Sequence, residues 1–500
     1  MTSRPRLASL SLILTVVAGC RVGPDYRKPA LPAGAEAPLV SMNAQAESTA
    51  EPPDDWWRLY SDSRLDSLLQ EAFGANADLT AAEANFSAAR GALSAARTAR
   101  YPETVAKVGG IYGRDAVTEE ILELGGHKPE TIWLLEDILE VSYEVDLFGR
   151  VHRSVEASRA SAQAVAAARD SVKVVVAAET ARAYALICAL GEQLAVANHS
   201  LEVVSREAEI TQNRHEAGAN SEFDVVRAQG LVAQIRSAIP PLAGQRRAAL
   251  FQLAALLGRT PVNAPSDVEA CAAPPVLEAL IPVGDGAALL KRRPDVRQAE
   301  RLLAAATARI GVATADLYPR ISLAALYGGV GTTSSELTTN EGLTWGIGPS
   351  ISWSFPNQAL PRARVRQAKS NAAAALAGFD SVVLNALKET EQSLALYGAA
   401  LDNRQALADA QSQAHRAFSM AHDQFLAGSL SNLDLLTTEQ SLVAADAAVA
   451  ASDSTLVQDQ IAVFKALGGG WRGTEPSAAA RQGNISGAAR EPQRITRIAP

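Results

Sequence analysis

The turn Ala217-Gly218-Ala219-Asn220-Ser221-Glu222-Phe223-Asp224-Val225-Val226 returns 210 residues later as Ala427-Gly428-Ser429-Leu430-Ser431-Asn432-Leu433-Asp434-Leu435-Leu436. In each copy a Gly is followed by a Ser that can cap a returning helix. The Asp three residues after that Ser resembles the acid of a capping box. Each copy therefore predicts the tip of a helical hairpin, and the repetition predicts an internal duplication.

Long helices are expected on both sides of each turn. The first runs from Arg150 to Ala217, interrupted only by Gly191, and its copy runs from Arg362 to Ala427. At 1.5 Å per residue, roughly 67 residues make a rod of about 100 Å. Apolar residues recur every seven positions along the second returning helix, at Leu435, Leu442, Val449, Leu456 and Val463. We expect these helices to coil on neighbouring helices.

The duplication extends to the segment before each long helix, where Asn76-Ala77-Asp78-Leu79 matches Arg293-Pro294-Asp295-Val296 at an offset of 217. We interpret the chain as one elongated unit of two repeats rather than as separate globular domains. The predicted segments are a signal peptide over 1–19, a lipid-anchored tether over 20–55, repeats over 56–258 and 286–468, a linker over 259–285 and a disordered tail over 469–500.

Stretches of period-two sequence lie between the helices of each repeat. The apolar positions predicted to face lipid are Leu139, Val141, Tyr143 and Val145 in the first copy and Leu343, Trp345, Ile347, Ile351, Trp353 and Phe355 in the second. Small or charged residues alternate with them, and each stretch has about the length of a tilted membrane strand. A half-buried sheet in a soluble domain is the alternative. Because lipid leaves backbone groups without partners, a membrane sheet must close, with twelve strands from three chains or eight from two.

The N-terminal sequence predicts export. Met1 to Gly19 has a basic start, an apolar run and small residues at its end. Val17-Ala18-Gly19-Cys20 resembles the bacterial lipobox, which predicts acylation of Cys20. An ordinary signal peptide followed by an incidental Cys is the alternative. Cys188 and Cys271 are expected to be two separate thiols, one buried in a helix and one in a loop.

Several of these motifs occur together in one known family. Cys20-Arg21-Val22-Gly23-Pro24-Asp25-Tyr26, Trp56-Trp57, Asp146-Leu147-Phe148-Gly149-Arg150-Val151 and Ile239-Pro240-Pro241-Leu242 resemble the TolC-like outer-membrane efflux factors, in particular the NodT-type lipoproteins. The resemblance implies a mainly α fold with a transmembrane β-barrel: a homotrimer with a 12-stranded barrel and a long α-helical barrel. It also implies a passive exit duct for drugs or other small toxic solutes, which docks with a periplasmic adaptor, or membrane fusion protein, and an RND-type inner-membrane transporter.

The resemblance places adaptor docking and the pore constriction at the two helical tips. The residues concerned are Gly218, Asn220, Ser221, Phe223, Asp224, Gly428, Ser431, Asn432, Leu433, Asp434 and Thr437. Related channels often narrow the pore with a Leu and, four residues on, an Asp. Those positions here are Leu433 and Thr437, so Asp434 or Asp224 would have to supply the charge. The acidic stretch from Glu119 to Asp137 is expected to be an extracellular loop, either a solvated surface or an electrostatic filter.

The sequence argues against other classes of function. A formal net charge of −8 disfavours a nucleic-acid partner, and no catalytic, metal-binding or cofactor motif is present. No cofactor is expected beyond a covalent lipid at Cys20. Two rival functions remain: the outer-membrane duct of a type I protein secretion system, and a structural lipoprotein that spans the periplasm as a tether.

Overall fold

The computed structural model describes residues 21–43, 45–114, 131–277 and 279–471. The signal peptide, Cys20, the acidic residues from Glu119 to Glu130 and the tail beyond Trp471 lie outside these ranges. Within them the α-helices are α1 Ser63–Ala75, α2 Ala77–Thr98, α3 Arg150–Glu216, α4 Glu222–Leu256, α5 Gly286–Arg292, α6 Pro294–Ala315, α7 Ala359–Leu426 and α8 Asn432–Ala466. The two predicted long helical hairpins, α3 with α4 and α7 with α8, are confirmed.

The strands of the described chain are β1 Glu47–Ser48, β2 Glu103–Gly113, β3 Ile132–Val145, β4 Ile281–Pro282, β5 Arg320–Gly331 and β6 Leu343–Ser352. The four long strands form one sheet in the order β2-β3-β5-β6, and every neighbouring pair is antiparallel. The two short strands, β1 and β4, pair in parallel. Each sequence repeat therefore contributes two strands to the large sheet.

One of two compact units contains this sheet. It comprises the described residues up to 31 together with 84–167 and 295–382, so it draws on both repeats. Its small helical core packs Ala160 against Ala304 and Ala305, with Tyr26 at the side. Alanine at these positions allows the helix backbones to approach closely, because there is almost no side chain to separate them.

The second unit comprises residues 32–83, 168–294 and the described residues from 383 onwards. Its core surrounds Trp56, which is fully buried and stacks on Phe464 with ring centroids 4.7 Å apart. Leu65, Leu68 and Leu69 of α1 join the same core, as their helical spacing predicts. The core is therefore built from sequence-distant elements.

The prediction of two separate thiols is wrong, because Cys188 and Cys271 form a disulfide bond. The connection that follows α4 returns to α3 and brings the two Cα atoms within 4.8 Å. The Arg246 guanidinium holds this connection by donating hydrogen bonds to the carbonyls of Ile187, Glu269 and Cys271. The separation of 83 positions along the chain conceals this proximity in the sequence.

Helix α3 includes an 18-residue stretch that is apolar enough to cross a membrane by length and composition, but 78% of that stretch is buried inside the protein. Burial of this extent is typical of a helix that packs in a protein core.

Candidate functional site

The large sheet has one exposed apolar face. Residues directly opposite each other on antiparallel strands lie on the same face, and Leu139 pairs with Tyr327, which pairs with Trp345. The same face contains Val141, Tyr143 and Val145 of β3, Ile321, Leu323 and Ala325 of β5, and Leu343, Ile347 and Ile351 of β6. Trp345 and Ile347 are each 70% exposed in the chain. A soluble domain would have to bury such a face, whereas lipid would cover it.

Trp353 and Phe355 lie just beyond β6 rather than within it, because the strand ends at Ser352. Ser352 pairs with Arg320, so the next position along β5 is Pro319, which has no N–H to donate. The two aromatic rings stack with centroids 4.7 Å apart, and the Trp353 indole N–H donates to the carbonyl of Leu317 at 3.1 Å. Both side chains remain exposed at this end of the sheet.

The opposite face of the sheet carries charged and small residues beside apolar ones such as Val105 and Leu326. Glu140 and Glu144 of β3 point to the side that carries Gly346, Gly348 and Ser350 on β6. The Lys107 ammonium of β2 lies 2.6 Å from a carboxylate oxygen of Glu140, and the Arg150 guanidinium pairs with Glu144. Charged pairs and glycines are suited to water rather than to lipid. This face is therefore the more polar of the two.

Of the acidic residues in the predicted loop, only Glu136 and Asp137 lie in the described ranges. Glu136 and Asp137 are part of β3 and point to opposite faces of the sheet. Asp137 Oδ1 accepts a hydrogen bond from the backbone N–H of Gly329 at 2.6 Å. This hydrogen bond partly satisfies a carboxylate on the otherwise apolar face.

The segment that follows Cys20 is tied to the unit that contains the sheet. The Val22 N–H donates to the carbonyl of Phe148, three residues beyond the end of β3. Gly23 has a φ of +85°, and a Cβ at this position would lie 2.5 Å from the Cα of Gly311. The Tyr26 hydroxyl donates to Glu300 at 3.0 Å, and burial together with this hydrogen bond raises the pKa of Tyr26 to about 12. Residue 21 is therefore held next to the sheet end that joins the helices.

Both helical tips have the predicted turn chemistry. Gly218 and Gly428 have φ angles of +78° and +75°, the left-handed conformation that glycine adopts without strain. At the first tip, Ser221 and Asp224 form a reciprocal capping box. At the second, Ser431 Oγ accepts from the backbone N–H of Asp434 at 3.2 Å. The tips are therefore capped turns, as predicted.

The tips also carry apolar side chains in water. Phe223 is 68% exposed and Leu433 is 47% exposed, although both stand at the start of a helix. Thr437 is exposed, and its hydroxyl donates to the carbonyl of Leu433 at 2.8 Å. Hydrogen bonds from Ser221 lower the pKa of Asp224, which stabilises its negative charge.

Comparison with known proteins identifies the family. Residues 68–259 and 287–469 match the family model of the outer membrane efflux proteins. The chain belongs to this family. It is 28% identical over 471 residues to Nodulation protein T of Rhizobium leguminosarum bv. viciae, covering 93% of this chain and 94% of the relative. It is 27% identical over 486 residues to the pyoverdine export outer membrane protein OpmQ of Pseudomonas putida (strain KT2440), covering 95% and 100%.

The fold comparison agrees with the family assignment. The outer-membrane channel OprN superimposes with a TM-score of 0.82 at 31% identity, covering 90% of this chain and 100% of that chain. The predicted TolC-like fold class is thereby confirmed. The family and the structural neighbours are outer-membrane channels rather than enzymes.

Proposed function

We propose that the protein is the outer-membrane exit duct of a tripartite efflux system and that three copies form one passive channel. The observation that carries this proposal is the four-stranded sheet, which exposes an apolar face on one side and charged pairs on the other. Such a sheet is suited to the wall of a water-filled pore in lipid. A periplasmic tether would have no use for it.

The open edges of the sheet support a trimer. Among the described residues, β2 and β6 each pair along one side only, which leaves the backbone groups on their outer sides without strand partners. Lipid cannot hydrogen-bond to these groups, and single-chain barrels begin at about eight strands. Joining β6 of one copy to β2 of the next closes twelve strands in a trimer, the assembly typical of this fold.

Acylation of Cys20 is the proposed anchor. Residue 21 packs against Gly149, where a Cβ would lie 3.3 Å from the Cα of Arg21. Gly149 follows the end of β3 by four residues, so acyl chains on Cys20 would enter the membrane beside the sheet. Two or more acyl chains hold a protein stably at a membrane, whereas a single chain gives only marginal binding.

The exposed tip residues are the proposed contact with a periplasmic adaptor, and the adaptor would connect the duct to an RND-type transporter. Phe223 and Leu433 offer apolar area on capped turns, a combination that suits a docking surface. The transporter supplies the energy, so the duct itself needs neither a catalytic residue nor a cofactor.

We propose that the exported compounds are drugs or other small toxic solutes. Relatives named for toluene efflux and for pyoverdine export support small-molecule cargo. The test is a deletion strain in which intracellular accumulation of a fluorescent efflux dye is measured, with and without the wild-type gene. Higher accumulation that the gene reverses is expected. Unchanged dye accumulation, together with loss of a secreted polypeptide, would favour the rival protein-secretion duct.

A further inference from the structure

A buried carboxylate interrupts the apolar contact between the two helical hairpins. Glu439 of α8 is 1% exposed in the single chain, so the protein's own helices bury it. Within the described residues, neither of its carboxylate oxygens has a hydrogen-bond partner. A buried carboxyl group without a partner is costly, especially when it is charged. Glu439 takes no part in the capped turns of the tips or in the β-sheet.

The surroundings of Glu439 come from both hairpins. Leu436, one turn before it on α8, packs with Val204 of α3 and with Ala228 and Leu231 of α4. The nearby charge is another carboxylate, Glu207 of α3, which is itself buried. The charge of Glu207 therefore acts on Glu439 near the place where α8 of the second hairpin packs against α3 of the first.

Three basic side chains of these helices lie near this site or near the tips. His422 of α7 lies beside Glu207, with Nδ1 and Oε1 3.7 Å apart. Arg214 of α3 lies over the ring of Phe425, and Arg227 of α4 lies over the ring of Phe223. No group of His, Cys, Asp and Glu in the described chain is arranged to hold a metal ion. The described chain offers no metal site here, so binding a proton is the way in which the Glu439 carboxylate can lose its charge.

We propose that Glu439 is a proton-operated latch, which holds the α7–α8 hairpin to the α3–α4 hairpin when its carboxyl group carries a proton. With the proton present, the Glu439 carboxyl group is neutral and can stay buried between the two hairpins. Without it, two like charges repel each other in a site that excludes water. Loss of the proton then loosens the contact between the hairpins near the tip.

The pH range of the latch follows from the buried site. Burial and the charge of Glu207 raise the pKa of Glu439 from 4.5 to about 7. A carboxyl group whose pKa is raised in the packed state stabilises that state in acid and stops doing so as the pH rises. The equilibrium constant for local opening should rise about tenfold per pH unit between about 5 and 7, and it should level off above about 7.

Hydrogen exchange of the detergent-solubilised full-length protein tests the latch. Amide exchange would be followed in residues 204–216 of α3 and 432–443 of α8 from pH 5 to pH 8 and divided by the intrinsic rate at each pH. In the wild type, the corrected exchange should rise with pH as stated. Glu439→Gln, a neutral side chain of the same shape, should remove this rise. Glu202→Gln is the matched control, because Glu202 is an exposed acid on α3 that pairs with Arg206, and it should behave as wild type.

The outcomes separate the latch from the proposed duct. A pH-independent wild type, or a Glu439→Gln variant that keeps the wild-type pH dependence, would overturn the latch. Glu207→Gln gives a second test, because removing the neighbouring negative charge should shift the rise to lower pH. An unchanged midpoint in that variant would contradict the effect of the Glu207 charge on Glu439. The latch affects efflux only if the protein is a duct, but hydrogen exchange reports on it without any channel activity.

Discussion

The Arg153 guanidinium lies 2.7 Å from Oδ1 of Asp25, so it ties the segment after Cys20 to the first turn of α3. Arg153 is almost fully buried and also pairs with Glu156 at 2.9 Å. One side chain thus positions the N-terminal segment, and with it the proposed lipid anchor, next to the sheet. This contact gives Asp25, in the motif from Cys20 to Tyr26, a structural role.

Asp25→Asn should loosen this segment without unfolding the protein. Because Arg153 keeps Glu156 as a partner, we expect amide exchange in residues 21–31 to increase about two- to fivefold, the scale of an exposed ion pair. Asp55→Asn, which removes an exposed pair with Arg58, is the control and should leave residues 21–31 unchanged. The Arg153 guanidinium holds the pKa of Asp25 below 3.8, so the pair should persist at pH 5 and be lost in stronger acid. Equal exchange in wild type and Asp25→Asn would contradict this role.

Gly23→Ala should displace the same segment by steric overlap. Gly23 and Gly34 have nearly equal φ angles of +85° and +83°, so each Ala substitution costs about 1–2 kcal/mol of local backbone strain. Only at Gly23 would the new Cβ collide with a helix, at Gly311, which adds about 1–3 kcal/mol. Local hydrogen exchange around each site measures the difference. Equal effects at the two glycines would show that the close approach to Gly311 is unimportant.

Ile347→Arg should impair membrane assembly, whereas Gly348→Arg should not. The two residues are neighbours on β6 and point to opposite faces, and a Cβ at Gly348 meets nothing within 4 Å. A cation on the lipid face costs about 2–4 kcal/mol per chain near the bilayer centre, while a cation in a water-filled lumen is solvated. The amount of protein in purified outer membranes measures the effect. Equal amounts of the two variants would contradict the assignment of the faces.

Phe223→Asp should abolish efflux while the protein remains abundant. The Phe223 ring is exposed and contacts the Arg227 guanidinium at 5.6 Å, so its replacement should not disturb the core. Val262→Asp changes another exposed apolar residue, one outside the tips, and serves as the control. Dye accumulation and outer-membrane protein levels would be measured together. Wild-type efflux by Phe223→Asp would exclude this residue from adaptor docking.

Reduction of the Cys188–Cys271 disulfide should lower thermal stability. Breaking a native disulfide of this sequence separation costs about 2–5 kcal/mol, because the unfolded chain regains freedom. The midpoint of thermal unfolding should therefore fall when a reducing agent is added. In the double variant Cys188→Ser/Cys271→Ser, the same reductant should have no effect. A wild-type midpoint that is insensitive to reductant would contradict a stabilising role.

The helical part of the fold could be predicted from local sequence. The first long helix was expected from Arg150 to Ala217 and runs from Arg150 to Glu216, because its end is set by a local signal, the Gly218 turn with its Ser221 cap. The alternation of apolar and polar residues in β3 and β6 predicted which side chains share one face of the sheet. In such cases, residues adjacent in sequence determine the structure.

Other features depend on contacts between distant residues and could not be predicted in this way. Strand β2 alternates poorly in sequence, yet it pairs with β3 along all 11 of its residues. Pairing with β3, rather than an alternating sequence of its own, therefore makes this segment a strand. The Cys188–Cys271 disulfide and the packing of Leu436 against Val204 join positions far apart in the chain. The early end of β6 before Trp353 depends on the opposing Pro319, which period-two sequence in β6 alone cannot reveal.

Single-channel recording in planar lipid bilayers tests most directly whether three copies of this sheet form a water-filled pore. At pH 7.5, where the latch should be loosened, the purified full-length oligomer is expected to produce discrete, stepwise ion conductance. A trimer that inserts into the bilayer but conducts no ions at any pH between 5 and 8 would contradict the duct.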